Sequence, residues 1–183
     1  KVEGDEVTIV KCDTDVSGAL VVPDSFNGKP VTAIGVYAFQ QCSGLTSITL
    51  PNTVKVIGRG AFSGCSGLES FVIPKGVTEI GAYVFEWCES LKSITIPESV
   101  NKIGIGAFQK SKWLTTVSIP NAEVEIDETA FEDVVSVYYG RAPSIDNQES
   151  EAVGAVGGTL VLGMETSGTN LTYQWQKDGV SLA

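Results

Sequence analysis

Ile57-Gly58-Arg59-Gly60-Ala61-Phe62-Ser63-Gly64-Cys65-Ser66-Gly67-Leu68-Glu69-Ser70-Phe71-Val72-Ile73-Pro74-Lys75-Gly76-Val77-Thr78-Glu79 is one circuit of a repeated chain path. Ile80 opens the next circuit 23 residues after Ile57, and Phe85 follows Phe62 at the same interval. Working outward in both directions, Ile34, Ile57, Ile80, Ile103 and Ile126 keep that spacing, as do Phe39, Phe62, Phe85, Phe108 and Phe131. Five coils are therefore in register, and the unit reads I-G-x-x-A-F-x-x-C-x-x-L-x-x-I-x-[LI]-P-x-x-V-x-x. A period of this length denotes a solenoid, because one unit cannot bury its own apolar face and neighbours must stack to do so.

Each part of the unit has a physical reading. In L-x-x-I-x-[LI] the last two apolar residues stand two apart, the alternation of a strand with one buried face, and Pro51, Pro74, Pro97 or Pro120 stops that strand. One short strand per coil, stacked at about 4.8 Å, builds a parallel sheet with like residues on like. The A-F-x-x-C segment is expected to turn the chain back as a helical turn, with Phe inside the circuit. Gly35, Gly58, Gly81 and Gly104 mark a point where only a residue without Cβ fits. In the last coil Asp127 replaces Gly, Val134 replaces Cys and Glu123 stands where Val77 and Val100 stood. Residues 121–140 accordingly read as a C-terminal cap. At the other end, strands at Val7-Thr8-Ile9-Val10 and Leu20-Val21-Val22 around a turn are expected to close the N-terminal face.

These motifs resemble the BspA-like leucine-rich repeats of bacterial surface proteins, over roughly Val7 to Tyr139. Val22-Pro23 followed by Asn27-Gly28-Lys29-Pro30-Val31-Thr32-Ala33-Ile34-Gly35 is similar to the family's first repeat, with an N-G turn in place of the shorter loop. The resemblance implies a curved leucine-rich-repeat solenoid, an exported location at the cell surface or beyond it, and a role in adhesion or protein binding. It implies no catalytic residue.

Past Gly140 the character changes. Arg141-Ala142-Pro143 and the polar run from Asp146 to Glu151 read as a linker over residues 141–156. Residues 157–183 then offer two strands, Gly157 to Leu162 and Leu171 to Gly179, the second ending in a D-G turn. Tyr173-Gln174-Trp175-Gln176-Lys177-Asp178-Gly179 resembles strand C of an immunoglobulin-like domain, whose Trp packs in the core. No cysteine precedes it there, so the domain's disulfide is not expected; at most the first three strands of a sandwich fit before Ala183, so a partial all-β segment is expected, truncated from a longer protein in preference to cleaved or completed from outside. The expected organisation is a repeat domain over 1–140, a linker, and that segment.

Composition excludes several functions. The 183 residues carry 12 Lys and Arg against 22 Asp and Glu, a net charge of −10, which repels nucleic acid and anionic lipid. No histidine is present, which removes the commonest general base and metal ligand; with no paired-carboxylate motif either, a non-catalytic protein without cofactor or metal is expected. No run is apolar enough for a membrane-spanning helix. Cys42, Cys65 and Cys88 form a ladder continued by Ser111 and Val134, with Cys12 apart. Stacking leaves successive ladder residues within disulfide range, yet a buried cysteine commonly acts as a small hydrophobe, and free core thiols are expected. Asp13-x-Asp15-x-Ser17-Gly18 has calcium-loop spacing, but flanking strands where that loop needs helices favour a simple turn.

Candidate binding residues are those that break the pattern outward. Trp87 stands where other coils have Gln41, Gly64, Lys110 and Asp133, and Trp113 where they have Gly44, Gly67 and Ser90. Exposed Trp is enriched at binding hot spots, so these two, with neighbouring Tyr83, form a candidate contact site for a protein or glycan. Ser70, Ser93 and Thr95, outward on the strands, are the polar complement. Packing of both Trp against loops or the next domain, and a passive spacer role for the whole solenoid, are the alternatives.

Overall fold

A computed structural model describes residues 1–121, 123–134 and 137–139, together with two short strands at Gln176–Lys177 and Val180–Ser181. The coils beginning at Ile34, Ile57, Ile80, Ile103 and Ile126 stack in the expected register. Each contributes two strands instead of one. The expected strands form one wall: Ser17–Val21, Gly44–Thr49 and Ser70–Phe71 pair in parallel, as do Ser93–Thr95, Thr116–Ile119 and Val137–Tyr139. An opposite wall runs Val2–Glu3, Glu6–Ile9, Lys29–Ile34, Val56–Ile57, Glu79–Ile80, Lys102–Ile103 and Glu125–Ile126. Its pairs are parallel except the first and the side pairing of Ser25–Phe26 with Lys29–Ile34. Most of these strands are two residues long, too short for alternation to announce them in sequence.

The helical turn is not there; no helix occurs among the described residues. The N–H groups of Ala38, Gln40 and Cys42 bond back three residues to Gly35, Tyr37 and Phe39. Those of Tyr37, Phe39 and Gln41 instead bond to Arg59, Ala61 and Ser63 in the next coil. Every second amide is thus spent along the solenoid axis, which no α-helix permits. The alternation needs left-handed backbone at two places per arc, taken by Tyr37 and Gln41, Gly60 and Gly64, Tyr83 and Trp87, and Gly106 and Lys110. The recurrent glycines of the I-G pair serve a different end: a Cβ on Gly58 would lie 2.8 Å from Val36 N, so close approach of the preceding coil excludes a side chain.

Between the walls lies a single column of rings. Phe39, Phe62, Phe85, Phe108 and Phe131 stack face to face at centroid distances of 5.2, 5.7, 5.3 and 5.2 Å, and Phe71 wedges edge-on against Phe62 and Phe85. Leu45, Leu68, Leu91 and Leu114 and the interior isoleucines fill the rest, all buried. The cysteine ladder is buried too, and its thiols serve the backbone. Cys65 Sγ donates to Phe39 O at 3.1 Å, Cys88 Sγ to Phe62 O at 3.3 Å, and Ser111 Oγ to Phe85 O at 2.7 Å. At Cys65, Cys88 and Ser111 a thiol or hydroxyl therefore gives the phenylalanine carbonyl of the preceding coil a partner, whereas Cys42 Sγ faces Asp13 O.

Both ends depart from expectation in detail. The strands Glu6–Ile9 and Ser17–Val21 are not one hairpin; they join opposite walls and make an incomplete leading coil. Asp13 forms the turn between them, its carboxylate accepting the Asp15 N–H at 3.3 Å. Cys12 does not stand apart: it packs on the core beside Cys42. The N-G turn is present, with φ of 52° at Asn27 and 76° at Gly28 linking Ser25–Phe26 to Lys29–Ile34. In the last coil Val124 packs against the core where Glu123, exposed, does not. Asp127 turns its carboxylate onto the N–H and hydroxyl of Thr129 at 2.9 and 2.6 Å, bonds that hold its pKa below the usual carboxylate value. In the C-terminal segment the pairs Gln176↔Ser181 and Lys177↔Val180 flank the D-G dipeptide. The linker and the immunoglobulin-like reading otherwise lie outside the described residues.

Candidate functional site

Left-handed arc positions point side chains out of the solenoid, and that is what creates the aromatic edge. Tyr37 and Tyr83 occupy one such position in alternate coils, each followed one coil later by a glycine, Gly60 and Gly106. A Cβ on Gly60 would strike the Tyr37 ring, and one on Gly106 the Tyr83 ring, so each tyrosine lies flat over the glycine of the following coil. Arg59 links the two: its Nε donates to Tyr37 Oη at 3.1 Å and its guanidinium sits 5.0 Å above the Tyr83 ring. No carboxylate pairs with Arg59 among the described residues. An arginine held by one tyrosine hydroxyl and one ring face keeps its terminal amino groups for an external acceptor.

Trp87 takes the second left-handed position of the third coil, at φ 59°, and is 43% exposed. The Lys112 ammonium stands 6.0 Å from its ring centroid. Trp113, next to Lys112, is 67% exposed, the most open aromatic side chain of the described residues. Lys112 thus links the arc of Trp87 to the chain segment that carries Trp113, and no ring-to-ring contact joins the two tryptophans. Tyr83, half-buried, belongs to the same arc as Trp87. Ser70, Ser93 and Thr95 are exposed but lie on the strand wall, where Ser70 aligns with Ser47, Ser93 with Thr116 and Thr95 with Ser118. A shallow groove there is lined by Ser47, Thr49, Ser70, Val72 and Lys75. Arg59 and Tyr37 escaped the sequence reading. Their signal was the alternation Tyr37, Gly60, Tyr83, Gly106, legible only once this position is known to face outward.

Stacked coils of two short parallel strands around a buried column of rings define a leucine-rich-repeat solenoid. The BspA type leucine-rich repeat region matches residues 25–138 in six copies, and the chain belongs to that family. A leucine-rich repeat protein of T. pallidum is similar in structure, with 33% identity, a TM-score of 0.68, and coverage of 73% of this chain and 63% of that one. A leucine rich cell surface protein of Faecalibacterium prausnitzii A2-165 has 31% identity and a TM-score of 0.65 over 72% of this chain and 35% of its own. A leucine-rich repeat protein of Bacteroides ovatus has 34% identity and a TM-score of 0.58 over 66% and 32%. The chain thus spans less than two thirds of each of these proteins. No curated protein matches it. Members of this family are bacterial surface proteins that generally bind protein or serve as structure. Among the described residues no helix is long and apolar enough to cross a membrane.

Proposed function

We propose that the chain is a non-catalytic binding module of a secreted or cell-surface bacterial protein, recognising a protein or glycan of a host or neighbouring bacterium. The observation that carries this reading is the exposure of the off-pattern Trp87 and Trp113, with Lys112 over the Trp87 ring and the Tyr37–Arg59–Tyr83 cluster on the same arcs. A passive stalk needs only the buried column of rings, and nothing in the coil repeat calls for a Trp at position 87 or 113. Ser70, Ser93 and Thr95 are assigned to the same function as a polar flank on the adjoining wall. Fixed rings and a fixed guanidinium limit the side-chain ordering that binding requires.

Left-handed backbone at position 87 supplies a clean test, because Gly64 holds the equivalent place one coil earlier at φ 76°. Trp87→Gly removes the ring and relieves the backbone together. Glycan arrays and arrays of extracellular matrix proteins are to be probed with the whole chain, and any bound species titrated against Trp87→Gly and Trp113→Ala. The expected outcome is a loss of affinity of tenfold or more with a Tm within about 3 °C of the parent. Affinity unchanged in both variants, or no species retained at all, assigns the solenoid to the spacer role.

A further inference from the structure

We propose that Cys12 and Cys42 are a disulfide-forming pair that staples the incomplete leading coil to the first full coil. The Cys12 N–H bonds Ala38 O at 2.6 Å, fixing residues 12 and 13 alongside the arc that ends in Cys42. Cys42 Sγ points back toward that segment, 3.6 Å from Asp13 O, and after burial Cys12 is the neighbour that acts most on its thiol. Their setting differs from that of the deeper ladder members. Cys65 and Cys88 are wholly buried and donate to phenylalanine carbonyls; Cys42 is equally buried but faces Asp13 O instead, and Cys12 beside it is half-exposed and reachable from solvent.

Reach and acidity set the order of events. Burial, then the neighbouring Cys12, pushes the Cys42 thiol up to about 11, so Cys42 is a poor first nucleophile. The Cys12 thiolate attacks one sulfur of a small-molecule disulfide such as oxidised glutathione, and one glutathione thiolate leaves. The Cys42 proton passes to that thiolate, and Cys42 sulfur attacks the Cys12 sulfur of the mixed disulfide, expelling the second glutathione. Two protein thiols become one disulfide as one glutathione disulfide becomes two thiols. The product closes the loop between residues 12 and 42 at a terminus, where a stack of coils is least held together.

The test treats the whole chain with oxidised glutathione, unfolds it in denaturant without reductant, alkylates it and maps the peptides. Two alkylated cysteines, Cys65 and Cys88, and a Cys12–Cys42 linked peptide are expected, with a Tm raised by roughly 10 °C that reductant reverses. Cys42→Ser should stop at a glutathione adduct on Cys12, and Cys12→Ser should keep its remaining thiols. Four alkylated cysteines in the treated parent chain overturn the proposal, as does a bond to Cys65 or Cys88, or a Cys12–Cys12 dimer with Cys42 free. Should either variant fail to fold, the peptide map of the parent chain decides the matter.

Discussion

Replacing Phe85 by Ala probes the column of rings at its centre. Phe85 is fully buried, stacks on Phe62 at 5.7 Å and Phe108 at 5.3 Å, and meets Phe71 edge-on at 4.8 Å. Truncating a buried Phe to Ala costs about 3–5 kcal/mol through lost transfer energy and the cavity left behind. Each aromatic pair contributes a further ~0.5–1.5 kcal/mol over its buried area, and Phe85 loses three such partners. Walls tied by hydrogen bonds on both sides cannot close over the gap, so a loss of about 5 kcal/mol is expected. Phe131 has one stacking partner, Phe108 at 5.2 Å, and is only partly buried. Phe131→Ala should therefore lose about 1–3 kcal/mol. Urea denaturation followed by circular dichroism measures both, with an unchanged m-value certifying that the same unfolding is compared. A loss below about 1 kcal/mol for Phe85→Ala would refute the continuous ring column, and so would equal losses at the two sites.

Two further outcomes follow from the ladder beside the rings. Ser111 Oγ donates to Phe85 O at 2.7 Å and accepts the Cys88 N–H at 3.1 Å, so Ser111→Ala should lose about 2 kcal/mol while Ser111→Cys stays within about 1 kcal/mol, both by urea denaturation. Burial raises the thiol of Cys65 to about 12 and lifts that of Cys88 well above the ordinary 9.0. Between those values the unfolded chain has released protons that the folded chain still holds, so stability is full below pH 9 and falls from pH 9 toward 12. The urea midpoint followed over that range should fall less steeply in the Cys65→Ser and Cys88→Ser double variant, and identical slopes would contradict a buried thiol ladder.

Much of this molecule is legible in one line of residues. The interval between Ile57 and Ile80, repeated from Ile34 to Ile126, sets the coil length, the register and the identity of the buried column, because a stack puts equal positions on equal positions. Burial of the ladder cysteines and the I′ turn at Asn27-Gly28 were likewise readable, since each rests on a local rule. The path of the backbone between those fixed points was not. Whether A-F-x-x-C closes as a helix or as alternating turns depends on which amides find carbonyls in the next coil, and that partner is 22 residues away. The second wall escaped for the same reason: a strand of two residues such as Lys102–Ile103 exists only through neighbours on either side, Glu79–Ile80 and Glu125–Ile126. The candidate site divides along that line. An off-pattern Trp is visible in the repeat itself. The placing of Arg59 between Tyr37 and Tyr83, and of Cys12 against Cys42, is decided only when left-handed arcs and an incomplete leading coil bring distant residues together, because side-chain direction is a property of the backbone that carries it.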